Sequence, residues 1–182
     1  MGEAKKIDIV EIAALCRKWL PAYRTADKLK EIGVLNALKR NEFVPLSDIV
    51  FNSLYGASGV HRILKAGIRA GIVEKNPAGG RGPLYRAAAL MFKLPPIVDA
   101  VNTLKTISAN ADIFETLNIE PHNVTGLCFY TGTMQTTMSL KMKVLADGGW
   151  VVRDQRGKEV WYSLSDQTRA VLPAVAAALG KL

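Results

Sequence analysis

LKAGIRAGIVEKNPAGGRGPLYR (64–86) and MKVLADGGWVVRDQRGKEVWYSL (142–164) share one plan: the end of an amphipathic helix, a glycine, then a β-branched strand. A polar turn follows in each, NPAGGRGP (76–83) or DQRGKE (154–159), and after it an aromatic strand, LYR (84–86) or VWYSL (160–164). Leu64, Lys65, Gly71 and Val73 match Met142, Lys143, Gly149 and Val151 at a constant offset of 78. Tyr85 and Tyr162, and then Pro96 and Pro173, keep an offset of 77, because the second turn is one residue shorter. So many matches in the same order read as an internal duplication.

A helix that runs into glycine can close there with a left-handed cap, and two strands around a glycine-bearing turn form a hairpin. Upstream, VLNALKRN (34–41) predicts a helix with Val34, Leu35 and Leu38 on one face. PLSDIVFNSL (45–54) predicts a second, with Pro45 at its start and Leu46, Ile49, Val50 and Leu54 inward. YGAS (55–58) then turns the chain into a third helix, SGVHRILKAGIRA. Helix, helix, turn, helix and hairpin make a winged helix-turn-helix. The expected fold is therefore mainly α with small β-hairpins (α+β): two tandem winged modules, residues 1–95 and 96–182, with extra N- and C-terminal helices.

Residues 7–20 form the extra N-terminal helix, with Ile9, Ile12, Ala13, Cys16 and Leu20 on one face. Residues 97–117 form a connecting helical region with a break at SANAD (108–112), and TRAVLPAVAAALGKL (168–182) forms an Ala-rich terminal helix. The apolar surface of that last helix exceeds what a small module needs.

The stretch TTMSLKMKVLADGGWVVRDQRGKEVWYSLSDQTRAVLPAVAAAL (136–179) resembles the part of ArsR, MarR and HxlR-type bacterial and archaeal regulators that runs from recognition helix to C-terminus. Such chains read as a Thr/Ser-rich helix start, Leu-Lys-x-Leu, Ala-Gly-Leu-Val, a basic wing, Tyr-x-Leu-Thr, then Leu-Pro and a helix. Residues 34–98 resemble the same pattern, more loosely at the last strand. The resemblance implies a non-enzymatic DNA-binding regulator, with a homodimer built by the terminal helices. Two modules in one chain depart from the single winged helix usual in these families, and one chain then already carries two half-site readers.

Charge points to an anionic partner and says which half meets it. The chain has 24 Lys and Arg against 16 Asp and Glu, a formal net charge of +8. Residues 1–95 carry the whole excess, and 56–93 hold seven basic residues against one acidic. In this fold the third helix enters the major groove and the wing reaches the flanking backbone. With Val60, Ile63 or Leu64, and Ile68 inward, Ser58, His61, Arg62, Lys65 and Arg69 face outward. Arg62, Lys65 and Arg69 make a basic stripe suited to guanine edges or phosphates. His61 either donates to a base or phosphate or simply sits at the helix surface. Arg81, among Gly79, Gly80 and Gly82, is placed to follow a groove.

The second module offers a milder surface. Gln135, Thr136, Thr137 and Ser139 can hydrogen-bond bases and phosphates, Lys141 and Lys143 add charge, and the wing supplies Arg153, Arg156 and Lys158 beside Asp154 and Glu159. Met134, Met138 and Met142 recur every four residues and read as core packing. A protein-facing role for this module stays open.

Several classes are set aside. The two histidines stand beside no acid–base constellation, and no Gly-Lys-Ser/Thr phosphate loop occurs. No enzyme and no cofactor are expected. Cys16 and Cys128 lack Cys-x-x-Cys spacing and read as thiols, not as a disulfide framework or, with His61 and His122, a metal site. No apolar run approaches the ~20 residues that span a bilayer, Gly2 lacks the downstream Ser or Thr of a myristoylation motif, and the expected location is cytoplasmic. The expected function is duplex DNA binding in transcriptional or replication/partition control, with the third helix of each module in the major groove. The alternative is a tandem winged-helix scaffold for protein assembly, of the chromosome-segregation or sorting-complex type.

Overall fold

The computed structural model describes residues 8–38, 42–76 and 82–182, which divide into two compact units. The first unit comprises Lys18–Val101, and the second joins the residues up to Arg17 to Asn102–Lys181. Both are mainly helical with small antiparallel sheets. No helix among the described residues is long and apolar enough to cross a membrane.

Helix α1 (Ile9–Glu31) is longer than the expected 7–20 and runs through Pro21. Proline has no N–H to give the Arg17 carbonyl, and a helix-interior proline costs about 3 kcal/mol. The reason the helix continues lies beyond the proline. Ala22, Tyr23 and Leu29 are buried, and each large apolar side chain removed from water contributes about 1.5–3 kcal/mol. The Tyr23 hydroxyl donates to the Pro95 carbonyl at 2.6 Å, and that of Thr25 to the Pro21 carbonyl at 2.8 Å. The second half of α1 is thus the first core helix of its unit.

The rest of the first unit follows as α2 (Val34–Ala37), β1 (Val44–Pro45), α3 (Leu46–Phe51), α4 (Ala57–Arg69), β2 (Val73–Asn76) and β3 (Leu84–Ala87), with a 3-10 turn at Ala89–Phe92. Of the helix expected over 34–41, the described residues form the single turn of α2, which ends at Leu38 with extended backbone; residues 39–41 lie outside the described residues. Leu29, Ile32, Val34, Ile49, Val60, Leu64, Ile72 and Tyr85 build the core. The second unit contains α5 (Ala100–Ala109) from Asn102 onward, α6 (Ala111–Ile119), β4 (His122–Asn123), α7 (Val124–Thr131), α8 (Gln135–Asp147), β5 (Val151–Arg156), β6 (Glu159–Leu164) and α9 (Asp166–Leu179). The break expected in SANAD falls at Asn110, between α5 and α6. Its core includes Leu104, Ile107, Phe114, Leu127, Met138, Met142 and Leu172.

Each expected two-stranded hairpin is a three-stranded sheet, ordered β1-β3-β2 and β4-β6-β5. The registers agree residue by residue. Val44 faces Tyr85 where His122 faces Tyr162, and Val73 faces Ala87 where Val151 faces Leu164. Helices α4 and α8 start and stop 78 residues apart.

Both of these helices close in the same way. Gly71 N–H donates to the Ile68 carbonyl and Ile72 N–H to that of Gly67; Gly149 N–H donates to Ala146 and Trp150 N–H to Leu145. These are the paired bonds of a Schellman cap, which needs a left-handed residue. Gly71 supplies it at φ 71° and Gly149 at φ 72°. In the second unit the cap is also tied to α9. Ser165 donates to the Gly149 carbonyl at 2.7 Å and accepts from Thr168 N–H, while the buried Thr168 hydroxyl donates to the Trp150 carbonyl.

In the first unit β2 lies close on α4. A Cβ added to Gly67 would stand 2.6 Å from Val73 Cγ2 and 3.1 Å from Val73 Cβ. Gly67→Ala is therefore expected to destabilise the protein despite the ~1 kcal/mol that helix propensity returns, because overpacking costs about 1–3 kcal/mol. A thermal melt checks this; a higher melting temperature would show that the strand yields freely.

Candidate nucleic-acid interface

Helix α4 buries Val60, Ile63, Leu64 and Gly67. At about 100° per residue, Ser58, Arg62, Lys65 and Arg69 cluster on the opposite face, and all four are exposed. None of the three cations has an ion-pair or hydrogen-bond partner among the described residues. This is an uncompensated positive stripe along one helix, flanked by small residues at Ala66 and Ala70.

His61 is on the flank of that stripe, not within it. It is half-buried, with Nδ1 3.4 Å from the Tyr85 hydroxyl. Tyr85 is itself buried on β3, which pushes its pKa up. Arg81, with Gly79 and Gly80, lies outside the described residues. Arg86 is engaged inside its sheet, 2.7 Å from Glu74 and over the Phe43 ring at 4.5 Å. Lys75 on β2 is exposed.

Helix α8 presents a different face. Its buried residues Met138, Met142 and Leu145 stand 78 positions after Val60, Leu64 and Gly67. The counterparts of Ser58, Arg62, Lys65 and Arg69 are then Thr136, Leu140, Lys143 and Asp147. Three cations become one cation, one anion and a leucine that is 67% exposed. Val144, beside it, is 69% exposed. Gln135, Thr136, Thr137, Ser139 and Lys143 are exposed as expected of contact residues, whereas Lys141 is half-buried in a groove shared with α5. In the wing, Arg153 and Lys158 are exposed. Arg156 pairs with Asp154 at 2.8 Å and lies over the Trp161 ring at 5.0 Å.

No family model matches the chain, and no curated protein matches it. Among solved structures, the transcriptional repressor BigR from Xylella fastidiosa overlays with 25% identity, covering 44% of this chain and 85% of its own, at a TM-score of 0.38.

Two side chains expected in the core lie outside it. Leu54 is 82% exposed, because α3 ends at Phe51 and Leu54 belongs to the turn that follows. Met134 is 75% exposed, because it is the N-cap of α8 with extended backbone, so the four-residue spacing from Met138 does not carry it to the helix's inner face. The exposed aromatic residues Phe129 and Tyr130 at the end of α7 had no signal in the sequence. The exposed cation Arg24 on α1, beside Arg69, was also missed, since the helix that carries it was expected to stop at residue 20.

Cys16 and Cys128 are both free, and burial pushes the Cys16 pKa up to about 11 against a smaller lowering by Arg17. Among the described residues no group of three or more His, Cys, Asp or Glu is placed to hold a metal ion.

Proposed function

We propose that this protein is a double-stranded DNA-binding regulator built from two copies of one winged module, acting in the cytoplasm in transcriptional or replication/partition control. The matching strand orders and registers, and the glycine caps at an offset of 78, support the duplication. The observation that carries the DNA reading is the unpaired, exposed stripe of Arg62, Lys65 and Arg69 on α4. Set in a major groove, such a helix offers cations to base edges and to phosphates on either side. The wing residue Arg81 and, in the second unit, Gln135, Thr136, Thr137, Ser139, Lys143, Arg153 and Lys158 supply lesser contacts.

Fluorescence polarisation with a random-sequence duplex tests this. Binding in the micromolar range at 50 mM salt is expected, with log K falling against log salt by roughly 0.9 per phosphate neutralised. Absence of salt-dependent binding would sink the reading and leave the scaffold in its place. One observation favours a protein-facing role for the second unit in particular: Leu140 and Val144 are exposed where α4 has Arg62 and Ala66. A homodimer through the terminal helices would use the exposed small-residue face of α9, Ala170, Ala174 and Ala177, since Leu172, Val175 and Leu179 are already buried.

A further inference from the structure

Within the first unit, the second half of α1 and the C-terminal half of α4 border a cleft of about 360 Å³ lined by Pro21, Arg24, Thr25, Ala66, Arg69 and Ala70. It carries two guanidinium groups, one from each helix, and both residues are exposed. Neither has a carboxylate, hydrogen-bond or ring partner among the described residues. Two cations without counter-charge around one cleft repel each other, and an anion between them relieves this. The Thr25 hydroxyl is committed as a donor to the Pro21 carbonyl, so the arginines are the side chains left to hold such an anion. Ala66 and Ala70, the other α4 residues of the cleft, end in methyl groups and bring no polar group of their own. The corresponding groove of the second unit, beside α8, has Val144 and Gly148 at those positions together with Leu140, Leu145 and Trp150, and its one cation is Lys141. A pair of cations contributed by two helices is the feature of the first unit's cleft.

The position of the cleft says which anion it takes. Arg69 is the last cation of the outward stripe on α4, and Ala66 and Ala70 flank that stripe on the side of α1. A helix lying in a major groove has a sugar–phosphate backbone along each edge. We propose that this cleft seats a backbone phosphate of the duplex between Arg24 and Arg69, which makes α1 a second DNA-contacting element. The inference rests on the DNA reading above. Arginine suits this place because its planar fork can take two phosphate oxygens at once, where lysine offers a point charge.

The test is a salt titration of random-sequence duplex binding by the full chain, comparing wild type, Arg24→Gln, Arg24→Lys and the Arg62→Ala/Lys65→Ala double variant. Arg24→Gln is expected to weaken binding about fivefold to tenfold at low salt, equally for unrelated duplexes, and to flatten the log–log slope by about 0.9. Arg24→Lys should restore the slope and only part of the affinity. Melting temperatures of both should match wild type, since Arg24 is exposed and unpartnered. If Arg24→Gln leaves affinity and slope unchanged while the double variant loses both, the cleft is not a DNA contact and the DNA reading survives without it. If neither variant changes anything, the DNA reading itself fails. A third arm adds inorganic pyrophosphate to the free protein. An Arg24-dependent rise in melting temperature, with the DNA slope unaffected by Arg24→Gln, would assign the cleft to a small phosphorylated ligand and overturn the proposal.

Discussion

Replacing Arg62 and Lys65 together by alanine is expected to lower duplex affinity by at least about 100-fold at low salt, as each charge-assisted contact is worth about 1.5–3 kcal/mol. It should also flatten the log–log salt slope by about 2, since two phosphate-neutralising cations leave. Both residues are exposed and opposite the buried face of α4, so the melting temperature should hold. Alanine at Lys141 and Lys143 is the comparison. Lys143 is the only cation on the outward stripe of α8, and Lys141 is half-buried in the groove beside it. Their loss should cost much less. Equal losses from the two pairs, or a larger loss from the second, would contradict the assignment of DNA reading to the first unit.

Valine at Gly71 or Gly149 is expected to lower the melting temperature of the protein markedly. Neither site lacks room. The nearest atom to an added Cβ is Leu90 Cδ2 at 3.5 Å for Gly71 and Gln167 Oε1 at 3.7 Å for Gly149, both ordinary contacts. The cost is in the backbone, which stands at φ 71° and 72°, where a β-branched residue fits worst. A strained left-handed residue costs about 1–3 kcal/mol, and a domain of this size loses about 4–8 °C of melting temperature per kcal/mol. Asparagine visits this region more easily, so Gly→Asn at the same sites should recover much of the loss. If asparagine and valine destabilise alike, the left-handed caps are not what closes these helices.

Those caps were legible in the sequence because one residue type answers one backbone demand. The same holds for the stripe of Arg62, Lys65 and Arg69, which follows once Val60 and Leu64 are inward. Strands β1 and β4 were not legible, as two residues are too few to show alternation. The run of α1 through Pro21 was hidden for another reason: local propensity argues for a stop there, and only the burial of Tyr23 and Leu29 outweighs it. With that helix ended at residue 20, Arg24 had no element to stand on. Leu140 was not legible, because exposure of an apolar residue on the outer face of a helix has no sequence pattern of its own.

Helix α1 belongs to both units: its residues up to Arg17 join Asn102–Lys181, and the remainder joins Lys18–Val101. On a ribosome the two ends of that helix meet different schedules. The half after Arg17 finds its partners as soon as residues up to 101 have emerged. Ile9, Ile12, Ala13 and Cys16, all buried in the finished protein, belong with a segment whose first residue is made roughly 85 positions later. At about 5–20 residues per second that is a wait of at least several seconds with an apolar face uncovered. The nascent chain therefore offers a chaperone a site in the first half of α1, and slowing translation after residue 101 should lengthen the time that site stays open.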